Sequence, residues 1–138
     1  MQRIAKLALW IAGGVVVVLV AGWMWGASGK AELSARSTRA ESRADVFEAR
    51  ADILQARVDL YNVNFGEASR NLEASKAALG RVIARLTAEG VEEPAARARE
   101  AMNHIGEAQQ LAGKLDQAAN TSAAAAVEAL NTLPLAAP

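Results

Sequence analysis

The chain has 138 residues, no cysteine, and fifteen basic residues balanced by fifteen acidic ones, so its formal charge at neutral pH is zero. That balance leaves no basic footprint for nucleic acid and no acidic tail. With no thiol there is no disulfide framework and nothing to acylate, and a single histidine, His104, makes neither a triad nor a metal cluster.

The first element in chain order is Leu7 to Trp25, nineteen residues without a charge, behind Arg3 and Lys6. At ~1.5 Å per residue it reaches roughly 28 Å, close to the hydrocarbon thickness of a bilayer. Trp10 near one end and Trp23 with Trp25 near the other stand where amphipathic rings favour the membrane interfaces. The segment therefore reads as a transmembrane helix over 7–25. A cleavable signal peptide is the alternative, since Gly26-Ala27-Ser28-Gly29 follows. The length of the apolar run and its closing tryptophans favour an anchor.

Orientation rests on weaker signals. Arg3 and Lys6 favour a cytoplasmic N-terminus, whereas Lys30, Arg36, Arg39 and Arg43 oppose it. Long following domains translocate largely regardless of charge. The expectation is a bacterial inner-membrane protein with residues 1–6 in the cytoplasm and the remainder in the periplasm. The membrane helix carries no ionisable group for a proton path or a metal. Ala8-x-x-x-Ala12 and Gly22-x-x-x-Gly26 are small-xxx-small spacings that let another helix approach closely.

After a flexible joint at 26–30, residues 31–133 read as an extramembrane bundle rich in alanine, the residue of highest helix propensity. A three-four spacing starts at Leu33 and runs through Ala40, Ala44, Phe47, Ala51, Leu54, Val58 and Tyr61. It continues through Phe65, Ala68, Leu72, Leu79, Val82 and Leu86, interrupted only by Ser37 and Ser75. Such a seam marks a coiled coil or a bundle of long helices. Glu41, Arg43, Glu48, Arg50, Arg57 and Arg70 fall off it, as a solvated face requires.

A break is expected at Tyr61-Asn62-Val63-Asn64-Phe65-Gly66-Glu67, because two asparagines and a glycine disfavour a helix interior and Asn64 with Glu67 has capping-box spacing. The in-phase seam argues for an uninterrupted helix. Asn64 to Ala68, with Leu72 beyond, resembles the turn and second-helix start of a tetratricopeptide unit. Gly80 stands where that repeat has its proline and no second copy follows. The resemblance implies a helical hairpin of that kind without an array.

Glu89-Gly90-Val91 is a helix stop with glycine suited to a left-handed cap, and Glu92-Glu93-Pro94 opens the next helix. That helix is expected to bury Ala95, Ala98, Met102, Ile105, Ala108, Ala112, Leu115 and Ala119. Asn120-Thr121-Ser122 is read as the cap of a last helix through Ala123 to Ala126, Val127, Leu130 and Leu133, before an extended tail at 134–138. The fold class is all-α: one N-terminal transmembrane helix followed by an antiparallel hairpin or bundle of three to four helices.

No phosphate loop or catalytic constellation accompanies these helices, so no enzymatic activity, cofactor or metal is expected. Glu92 and Glu93 are first-turn charges, and His104 is a boundary residue. The sequence points to a non-catalytic accessory subunit of a larger membrane complex, respiratory, photosynthetic or secretory. The alternative is a homo-oligomeric coiled-coil tether of the division or lysis type, in which the seam meets a second copy. Its partners are then the membrane and other protein subunits, or itself. Phe47, Leu54, Tyr61, Phe65 and Leu72 are the candidate packing or docking residues. Burial of the aromatics Phe47, Tyr61 and Phe65 separates a self-sufficient core from a docking surface.

Overall fold

The computed structural model describes residues 33–134, all of whose regular structure is helical. The chain divides into two compact units, Met1–Ser37 and Thr38–Pro138. The second contains the packed core of the bundle. No helix among the described residues is long and apolar enough to cross a membrane. The 7–25 segment, its tryptophans Trp10, Trp23 and Trp25, and the spacings Ala8/Ala12 and Gly22/Gly26 lie outside the described residues, as do the joint at 26–30 and most of the tail.

Among the described residues four helices follow one another: α1 over residues 33–61, α2 over Phe65–Ala88, α3 over Glu92–Gly113 and α4 over Ala119–Asn131. The break between α1 and α2 falls where the asparagines and glycine stand. The Asn64 side chain caps α2 by accepting the Glu67 N–H at 3.5 Å. The box is not reciprocal, because the Glu67 carboxylate turns to Arg70 at 3.0 Å.

All three turns end their helix in the same way. Val63 donates to the Leu60 carbonyl and Asn64 to that of Asp59; Gly90 donates to Thr87 and Val91 to Leu86; Leu115 donates to Ala112 and Asp116 to Leu111. This paired pattern requires a left-handed residue at its first member. Gly90 meets the requirement at φ 71°, but Val63 and Leu115 adopt φ 62° and 59°. The glycine stop at 90 is where it was expected. The other two turns place a β-branched and a bulky side chain in a conformation that favours glycine.

Short turns make successive helices antiparallel neighbours. Side-chain ties agree, since partners run in opposite directions along each pair: Asp45 with Arg81 and Asp59 with Asn71 between α1 and α2. Thr87 with Arg99 and Lys76 with Gln109 join α2 to α3. Arg97 reaches the Thr132 carbonyl just beyond α4, and Arg57 meets Asn120 to close α1 onto α4.

One core runs through all four helices, built from Ile53, Leu60, Leu72, Leu79, Val82, Ile105, Leu130 and Leu133 with many alanines between them. The α2 part of the seam is buried from Ala68 to Leu86, with Phe65 half-buried at its start. Ser75 lies within it and donates its hydroxyl to the Leu72 carbonyl at 2.7 Å, which removes the cost of burying the group. On α3 the buried face is Ala95, Ala98, Ala101, Ile105, Ala108 and Ala112. Leu115 is not on it; it lies in the turn and is exposed. Asn120-Thr121-Ser122 does not cap α4, which already starts at Ala119, preceded by an Ala118 N–H held by the Asp116 carboxylate at 2.9 Å. Asn120 instead bonds Arg57 across the bundle.

Candidate functional site

α1 carries two apolar stripes. The one that enters the core is Val46, Ala49, Ile53, Ala56 and Leu60. The expected seam on α1 is therefore displaced. Phe47 is 52% exposed, Leu54 43%, Val58 53% and Tyr61 81%, and Ala40, Ala44 and Ala51 are exposed with them. A helix advances ~100° per residue, so these stripes lie nearly opposite one another. The continuous surface from Leu33 to Leu86 does not exist, because the turn at 62–64 lets α2 bury its own stripe while α1 turns its stripe outward.

The docking residues expected from the sequence split accordingly. Phe47, Leu54 and Tyr61 stand together on the outer face of α1. Phe65 packs half-buried against the core at the start of α2, and Leu72 is fully buried within it. The inner stripe has the same spacing in the sequence and went unread there. What distinguishes it is Asp45, one residue before Val46 and almost completely buried.

Asp45 shows why α1 has this rotation. Its carboxylate accepts from the Arg81 Nε at 2.9 Å and Nη2 at 2.7 Å and also pairs closely with Arg85. Burial pushes its pKa up, but the hydrogen bonds and charges of Arg81 and Arg85 outweigh burial and hold it below the ordinary carboxylate value. Arg81 also reaches Glu48 at 2.8 Å, and Arg85 approaches Glu41 at 3.7 Å. Asp52, one heptad on, has no arginine opposite it; burial and the neighbouring Glu48 raise its pKa. On the other edge, the Arg57 Nε donates to the Asn120 side-chain oxygen at 2.9 Å. α2 thus grips one edge of α1 and α4 the other.

The outer face that remains is an apolar strip between polar edges. Near its C-terminal end it borders a groove of about 360 Å³ lined by Leu54, Arg57, Val58, Tyr61 and Asn120. Apolar side chains of Leu54 and Val58 and the polar groups of Arg57, Tyr61 and Asn120 therefore meet at this end of the strip.

His104 sits where a boundary residue was expected, with its side chain about one-third exposed and 3.8 Å from Glu107 on the same helix. It lines a second groove with Glu100, Ala125, Glu128, Ala129 and Thr132. Among the described residues, no histidine, cysteine or acidic cluster has the arrangement to hold a metal. No family model matches the chain, and no curated protein or solved structure is significantly similar to it.

Proposed function

We propose that this protein is a non-catalytic, membrane-anchored structural subunit that assembles through the outer face of α1. Residues 7–25 hold it in the bacterial inner membrane, residues 1–6 face the cytoplasm, and the bundle lies on the periplasmic side. The observation that carries this reading is the uncovered stripe Ala40, Ala44, Phe47, Ala51, Leu54, Val58 and Tyr61 on a helix whose opposite face is fully packed. Isolated surface hydrophobes are common and need no explanation. Seven at unbroken heptad spacing along ~32 Å of helix form a seam ready for another helix.

A larger membrane complex and a homo-oligomeric tether both use such a face. The test is recovery of the native-level tagged protein in gentle detergent, beside a Leu54→Glu, Val58→Glu variant. Defined companions at fixed stoichiometry, or copies of the chain itself, are expected with the unaltered protein and lost with the variant. Association unchanged by the two glutamates overturns the reading.

A further inference from the structure

The polar edges of the outer stripe say what covers it. With Ala44, Ala51 and Val58 at heptad position a, and Ala40, Phe47, Leu54 and Tyr61 at d, the g positions are Arg36, Arg43, Arg50 and Arg57. The e positions are Ser34, Glu41, Glu48 and Gln55. One edge is entirely arginine, and the other is acidic or neutral. In a parallel pair of helices each g residue faces the e residue five positions on in the partner; in an antiparallel pair g meets g and e meets e. Antiparallel pairing of this face with itself would set arginine against arginine. Parallel pairing sets Arg43 against Glu48 and Arg50 against Gln55, on both sides of the seam.

We infer that the outer face of α1 is closed by a second copy of this chain, in a parallel and in-register coiled coil over Ala40 to Tyr61. This rests on the proposed role of that face as an assembly surface and names its partner. Arg43 and Arg50 make no hydrogen bond or ion pair within the protomer among the described residues. Glu48 accepts from Arg81 through one oxygen, Oε2, which leaves Oε1 for a second arginine. Alanine at two of the three a positions allows close approach, while Phe47, Leu54 and Tyr61 supply the bulk at d. Parallel pairing also brings both N-terminal segments to the same end, the arrangement two chains anchored in one membrane require.

The absence of cysteine makes the test direct. Full-length single-cysteine variants Ala51→Cys and Val58→Cys, in detergent or vesicles, are expected to form same-residue disulfides under mild oxidation; Glu100→Cys, on the exposed side of α3, is not. Arg43→Glu in the Val58→Cys background is expected to lower the cross-link about tenfold, as is Glu48→Arg. Mixing those two chains restores it, because each then faces opposite charges. Arg43→Glu touches nothing inside the bundle, so its effect is readable even if Glu48→Arg loosens the Arg81 contact. Cross-linking of Ala51→Cys only to Val58→Cys chains overturns the parallel arrangement. Absence of self-linking, with the same cysteines captured by a foreign subunit, overturns the inference but leaves the assembly role standing. Neither kind of link overturns both.

Discussion

The inner and outer faces of α1 share one spacing and differ in size. Inward lie Val46, Ala49, Ile53, Ala56 and Leu60; outward lie Phe47, Leu54, Val58 and Tyr61 among alanines. The aromatic, bulkier stripe is the exposed one. The rest of the core explains this, because α2, α3 and α4 present mostly alanine and medium aliphatics at their contacts and so approach closely. Phe47 and Tyr61 would hold such helices apart. Hydrophobic size alone is a poor guide to burial where neighbouring helices are built for close packing.

The largest effect expected from breaking this contrast is at Ile53. Ile53→Ala should lower bundle stability by about 2–5 kcal/mol through a cavity that surrounding alanines cannot fill. Leu54→Ala, one residue on, should change it by about 0.5 kcal/mol or less in dilute protein while weakening self-association. Denaturant midpoints and sedimentation of both variants measure the two properties; equal losses of stability would mean that both faces are core.

Next is the clamp that sets the rotation. Asp45→Ala should cost about 2 kcal/mol by leaving Arg81 and Arg85 without their shared acceptor. Because Asp45 has a lower pKa folded than unfolded, its stabilisation is present above ~4 and is lost as pH falls through the folded value. Urea midpoints should fall on acidification below about pH 4, and part of that fall should vanish in Asp45→Asn.

Val63→Gly touches neither face and serves as a control. It should stabilise the bundle by about 1 kcal/mol by relieving a β-branched residue at positive φ, without altering association. Thermal melts and sedimentation decide it. Asp52→Asn should give the smallest change, a gain of roughly 0.3 kcal/mol near pH 7 that disappears in acid, since burial and Glu48 make its charge unfavourable. A pH series of melts on that variant would expose the opposite sign.

Much of the fold was legible locally. Gly90 and Glu92-Glu93-Pro94 marked a helix end and start because a left-handed cap and a first-turn proline are properties of single residues. Asn64 announced the break for the same reason. The turn at Leu115 and the start of α4 were not readable: leucine carries no turn signal, and Asn120, which looks like a cap, is taken by Arg57 on a helix 63 positions away. Of the candidate docking residues, Leu72 looked no different from Leu54. Only the direction in which each helix faces its neighbours separates them.

The sequence by itself determined the all-helical class, the turns at 62–64 and 89–91 and the heptad spacing of α1, because propensity, capping and periodicity act over a few residues. It carried the arginine and glutamate edges too, as register. Which of two equivalent stripes on α1 turns inward was decided only in the tertiary structure. That choice depends on Asp45 meeting Arg81 and Arg85 and on Arg57 meeting Asn120, contacts between residues far apart in the chain that exist only once the bundle has closed.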